Sequence, residues 1–166
     1  MRLVKLGIIS LFVFAAIIYL FSLFIPSHVR ISRAVNIEMP KDSISEYIRN
    51  MNNWQQWNVM VTDQDSGNGK FSNSIYVGKN LKVLMLAEAA DSLRTEWQHG
   101  ASDKIASGFN LIQDQGEITV VQWYFDFYLK WYPWEKFGSI VFDQQLGPSM
   151  EKSLNKLKCK LENCSQ

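Results

Sequence analysis

The feature that most constrains this chain is Leu6 to Ile25, 20 consecutive residues without a charged side chain, bounded by Arg2 and Lys5 before and by Pro26, His28 and Arg30 after. As a helix rising about 1.5 Å per residue, such a run reaches about 30 Å, the thickness of a bilayer's hydrocarbon layer. A cleaved secretory signal has a shorter apolar core and small residues at its cut site, whereas Leu20-Phe21-Ser22-Leu23-Phe24-Ile25-Pro26 is bulky there. No cysteine lies near the start to carry a lipid. Residues 1–27 therefore read as an uncleaved single-pass transmembrane anchor and 28–166 as one domain held beside a membrane. Basic residues flank the run on both sides, Arg2 and Lys5 against Arg30, Arg33 and Lys41. The shortness of the first flank favours an N-terminus inside, which puts the domain outside the cytoplasm of a bacterial inner membrane.

Beyond the anchor remain about 140 residues, enough for one core without staples. Setting aside Arg2 and Lys5 leaves 15 basic residues against 16 acidic ones, a balance that argues against a nucleic-acid partner. All six Trp (54, 57, 97, 123, 131, 134) lie in this part, so its core is either unusually bulky or lined for a ligand. Cys159 and Cys164, the only cysteines, match no zinc or redox spacing, and they can pair only if the chain leaves its helix after Leu161.

Along the domain, His28 to Glu38 alternates, with Val29, Ile31, Val35 and Ile37 on one side, and predicts a half-buried strand. After Pro40, Ile44, Tyr47, Ile48 and Met51 mark a short amphipathic helix. Trp54 and Trp57 then stand one helical turn apart, able to drop both rings on one surface. Asp63 to Lys70 reads as a hairpin turn, since Gly67-Asn68-Gly69 lacks the context of a phosphate loop. Five strand-like segments follow, 70–77, 81–89, 92–99, 104–113 and 117–128, with turn residues at the spacing of an antiparallel meander. By parity, Leu81/Val83/Met85/Ala87, Leu93/Thr95/Trp97, Ile105/Ser107/Phe109/Leu111 and Thr119/Val121/Trp123/Phe125/Phe127 form one buried side of a curved sheet. A helix opening at Gly147-Pro148, with the stripe Met150, Leu154, Leu157 and Leu161, covers it. Between the last strand and this helix, Lys130 to Leu146 is strongly aromatic and predicts a short helix beside a cavity entrance.

This order resembles the helix-grip fold, the START-like or SRPBCC superfamily, in which a curved antiparallel sheet wraps a long C-terminal helix. The local likeness is to its polyketide cyclase/dehydrase-like branch. It is carried by residues 29–37 with Pro40, by Trp54-Gln55-Gln56-Trp57-Asn58, by 117–123, and by Gly147-Pro148 with Glu151, Leu154, Leu157, Lys158 and Glu162. Six strands are evident, and the superfamily's remaining element is expected near Trp57 to Thr62, as a strand or a split first helix. The resemblance implies a site without fixing its chemistry, because the superfamily includes lipid and quinone carriers, receptors and aromatase/cyclases.

Catalytic equipment is scarce. Only His28 and His99 could serve as histidine bases, neither on an inward face, and Glu96 and Asp126 fall on the outward parity as solvated carboxylates. No catalytic residue, metal ligand or cofactor is expected. A binding cavity needs only an apolar lining and a few polar points. Its expected lining is Trp54, Trp57, Met85, Trp97, Phe109, Trp123, Phe125, Met150 and Leu154, with Thr95 and Ser107, and also Thr119, as polar points. The expectation is a tethered domain that binds a hydrophobic small molecule or lipid, which the bilayer supplies at high effective concentration. Two alternatives stay open: a cyclase-like enzyme with a buried ionisable pair, and a solid-cored interaction module docking through Trp131, Tyr132 and Trp134.

Overall fold

The computed structural model describes residues 2–63, 69–89, 91–113 and 116–164, so the predicted turns at Gln64–Asn68, Ala90 and Asp114-Gln115 lie outside the described residues. Helix α1 (Arg2–Leu23) projects with almost all of its side chains exposed, and is long and apolar enough to cross a membrane. Strand β1 (His28–Ile37) opens the domain, followed by α2 (Lys41–Arg49), a 3-10 turn at Met51–Asn53, α3 (Trp54–Trp57) and α4 (Val59–Thr62). Thus the segment around Trp57 is a split helix and not a strand. Asn50 and Asn58 produce the breaks, each turning its side-chain oxygen onto a following backbone N–H, Asn52 and Val61 respectively.

The remaining strands are β2 (Lys70–Phe71), β3 (Ile75–Val77), β4 (Leu81–Ala89), β5 (Ser92–His99), β6 (Ile105–Gln113) and β7 (Thr119–Tyr128). They form one antiparallel seven-stranded sheet in the order β1-β7-β6-β5-β4-β3-β2, so the first strand returns to pair along the full length of the last. The stretch 70–77, read as a single strand, is a tight hairpin of β2 and β3. In β4 the pairing shifts between Met85 and Ala87, and Met85, at the start of this irregularity, is only partly buried.

After α5 (Pro133–Ser139), α6 (Phe142–Leu161) packs against β1, α3 and α4, which gives the helix-grip arrangement. It begins six residues before Pro148, the Gly147-Pro148 helix start being displaced by packing. Phe142 packs at a tilt against Phe127, centroids 4.8 Å apart, and Leu146 packs partly buried against the core, so burial carries the helix back past a proline that by itself favours a first turn. Pro148 sits inside the helix on its exposed side and offers no N–H to the Gln144 carbonyl. At the other end the helix closes on Asn163, at φ 51°, with the Cys164 N–H bonded to the Cys159 carbonyl at 3.0 Å. The chain therefore does leave the helix after Leu161, and this turn brings the two free, exposed cysteines together; hydrogen bonding to Cys159 raises the Cys164 thiol's pKa.

The parity read from the sequence holds on the core side: Val83, Leu93, Thr95, Trp97, Ser107, Phe109, Leu111, Thr119, Val121, Trp123 and Phe125 are all buried. Arg33 shares that side of β1 and is its exception. Its guanidinium lies on Gly147 of α6, where a Cβ would approach Nη2 to 2.2 Å, and pairs with Asp143 at 2.9 Å. The outer face has an equally close layer, in which the Tyr124 ring covers Gly108 across the β6–β7 pair and the Arg30 guanidinium lies 4.4 Å above that ring.

A Cβ at Gly108 would fall 2.6 Å from both the Leu93 carbonyl oxygen and the Tyr124 hydroxyl, and the former is backbone. Gly108→Ala is expected to lower stability by roughly 1–3 kcal/mol, as overpacking does, read as a shifted urea midpoint at unchanged slope.

Candidate functional site

The middle of the concave face is filled. Trp54 and Trp57, brought in by α3, meet Phe109 and Trp123 from the sheet, with Trp54–Trp57 centroids 5.3 Å apart and Phe109–Trp123 stacked at 5.2 Å. Trp97 extends the cluster toward Phe125 at 5.1 Å. Met150 and Leu154 from α6 close over these rings, both essentially inaccessible. Each indole in such a place needs a partner for its N–H. Three of the four have one: Trp54 donates to the Ile48 carbonyl at 2.7 Å, Trp97 to the Thr95 hydroxyl at 3.1 Å and Trp123 to the Ser107 hydroxyl at 3.0 Å, whereas the equally buried Trp57 Nε1–H has no partner among the described residues. Thr119 donates in turn to the Met39 carbonyl at 2.8 Å. The three hydroxyls expected as polar points for a ligand thus hold core groups in place.

Open space lies at one end of this cluster, in a groove of about 680 Å³, within the range of small-molecule sites. Of the residues expected to line a cavity, Trp97 and Phe125 border it; Trp54, Trp57, Thr95, Ser107, Phe109, Trp123, Met150 and Leu154 pack the interior beyond it, and Met85 lies partly buried on β4. The floor adds Met60, Leu81 and Phe127, and the far wall comes from Trp134 and Gly138 of α5 with Phe142 and Leu146 of α6. The rim is polar, with His99, Ser102, Lys104, Glu135 and Gln145. The groove is therefore apolar inside and polar at its edge. The short helix expected beside the cavity entrance within 130–146 is α5; the contribution of Phe142 and Leu146 has no local sign, because the helix-start signal at Pro148 hides that α6 begins at Phe142.

Asp126, on the outward parity of β7 yet also bordering the groove, departs from the expected solvated carboxylate. It has the outward parity, yet only 7% of it is exposed, because β1 covers it. Arg30 donates to it through Nε and Nη2, both at 2.7 Å, and His28 Nε2 lies 3.0 Å away while its ring stacks on Tyr128. The Arg30 guanidinium foremost, against the opposing effect of burial and with help from His28, holds the Asp126 carboxyl below the usual carboxylate range. Glu96, the other outward carboxylate, is 21% exposed at its side chain and pairs with Lys104 at 2.8 Å. Among the described residues no group of three or more His, Cys, Asp or Glu converges as a metal site.

No protein-family model matches the sequence, and no curated protein does. Solved structures do share the fold. A START superfamily protein from Mycobacterium smegmatis superposes with a TM-score of 0.55 at 17% identity, over 82% of this chain and 99% of its own. CalU16 from Micromonospora echinospora gives 0.54 at 12% identity over 84% and 85%. DynU16, from the dynemicin biosynthetic locus, gives 0.54 at 16% identity over 80% of this chain, which spans about half, 47%, of DynU16. The chain has the START-like helix-grip fold.

Because the folded pKa of Asp126 is depressed, the stability it confers is present above the unfolded carboxyl's pKa, about 3.9, and disappears as pH falls through the folded value. Asp126→Asn is expected to melt below wild type at pH 7, with the gap narrowing in melts taken below about pH 4.

Proposed function

We propose that this protein is a membrane-anchored START-like domain that binds a hydrophobic small molecule or lipid in its end groove, with residues 1–27 as the anchor and 28–166 as the binding domain. The groove carries this reading. It combines an apolar interior, Trp97, Phe125, Phe127 and Phe142, with a polar rim, the pairing that suits a guest with a greasy body and a polar end. The fold supports it, since the superfamily that the chain resembles includes lipid and quinone carriers, although fold alone fixes no ligand. The exposed apolar surface of α1, uncharged from Leu6 onward, supports the anchor, because such a helix in water leaves apolar area unburied at about 25 cal/mol per Å².

Asp126 favours binding over the cyclase-like alternative. An enzyme of that kind needs a carboxyl free to take or give a proton near the guest, and this one is held ionised by Arg30 with both oxygens engaged. A carboxylate so paired is a weak base.

Gly138 offers the test, because it borders the groove and a Cβ added there meets nothing within 4 Å. Gly138→Phe is expected to fill the groove and leave the melting temperature within a few degrees of wild type. Mass spectrometry of apolar molecules extracted from the purified full chains is expected to find a defined guest in wild type that is at least tenfold depleted in the variant, about 1.4 kcal/mol of lost affinity. Lipid surrounding α1 is common to both chains and cancels. Identical extracts would refute the groove as the site.

A further inference from the structure

The segment joining β7 to α6 carries rings that stay largely exposed. Trp131, Tyr132 and Trp134 stack in series at 4.8 Å, and Trp131 and Trp134 remain 66% and 69% exposed. Ile140 follows them at 63% exposed. An isolated exposed apolar residue is ordinary, but a run of mutually packed, exposed rings leading into one short helix is not.

The place of this set in the fold indicates what covers it. Lys136, on the opposite side of α5, is only 7% exposed and donates from Nζ to the Ile25 carbonyl at 3.0 Å, just past the end of α1. A cation there also suits the negative end of the α1 dipole. Nearby, the Leu129 N–H donates to the Ser27 carbonyl at 2.7 Å. Two bonds therefore tie the segment to the exit of α1, and only residues 24–27 separate that helix from β1, a reach of roughly 14 Å at full extension. Where α1 ends at the edge of a hydrocarbon layer, the rings are held at the level of the lipid headgroups. Tryptophan favours that level, with its apolar body in lipid and its N–H in the wet layer.

We infer that Trp131, Trp134 and Ile140 form a second contact with the bilayer, seated in the headgroup layer of the leaflet where α1 ends, and that the groove is filled from that leaflet. Trp134 links the two parts, because it belongs both to the exposed ring series and to the groove wall, with Gly138 one turn further along. A guest moving from the leaflet past Trp134 reaches Phe142 and Trp97 without crossing bulk water. The partner is a phospholipid surface, and the inference rests on the reading of α1 as an anchor.

The full chain, reconstituted in phosphatidylcholine vesicles with bromine on shallow acyl positions, tests this, because all six tryptophans lie outside α1 and Trp54, Trp57, Trp97 and Trp123 are buried. Wild-type emission is expected to be quenched by the brominated lipid, and Trp131→Gln with Trp134→Gln is expected to lose most of that quenching without a change in melting temperature. Gly138→Phe is expected to remain quenched, and a wild-type chain that is quenched but yields no defined guest refutes the guest and not the contact. Vesicles that float without the chain overturn the anchor and this inference together. A chain that floats but is unquenched overturns the inference alone, and so does one whose exposed indoles are shielded from bromine and from aqueous acrylamide alike, the signature of a protein partner or second copy on this face.

Discussion

Six aromatic rings, Trp54, Trp57, Trp97, Phe109, Trp123 and Phe125, meet where α3 crosses the hollow side of the sheet, and their packing decides where empty space is left. A sheet this curved around a helix encloses more volume than small side chains fill. The indoles fill the centre, and Thr95 and Ser107 satisfy the N–H groups of Trp97 and Trp123 there. The end beyond Trp97 and Phe125, where the rings stop and α5 spans the gap, remains open. The same close packing that stabilises the fold thus sets the position of the groove.

Much of this was legible in the sequence, and the divisions follow from physics. Alternation along β5, β6 and β7 identified the inward side because a two-residue period is local and a half-buried strand must obey it. It did not tell lining from filling: Trp123 and Trp97 share a parity, yet one is enclosed by α3 and the other reaches the groove, a difference set by tertiary contacts. The early start of α6 was hidden for a related reason, since Pro148 is a strong local signal that the burial of Phe142 and Leu146 overrides. Asp126 was hidden by its partner strand. Nothing local to β7 shows that Arg30 and His28, about a hundred positions earlier, lie beside it. Arg33 did leave a sign, as the one charged residue at an apolar-parity position of β1, and that sign marks where α6 comes close.

The two faces of the sheet are held by different means. The inner face relies on area and shape, whereas the outer face at β1 and β7 relies on a stack of Gly108, Tyr124, Arg30 and Asp126 in which each member fixes the next. This matters most at β1, the sheet edge that also receives α6 and follows directly on α1. An edge strand with ten residues paired to one neighbour is well secured lengthwise, and the ion pair adds a fastening at the end closest to the apolar helix.

Pro148 divides α6 into two unequal pieces. Beyond it, Met150, Leu154 and Leu157 are sunk in the core; before it, Phe142 and Leu146 form one side of the groove. One rung of the ladder is absent between them, so resistance to bending is lowest there. The helix is in effect a fixed rod with a compliant lip, and a guest of awkward girth would be accommodated by yielding of the lip while the rod, and the sheet gripping it, stay as they are.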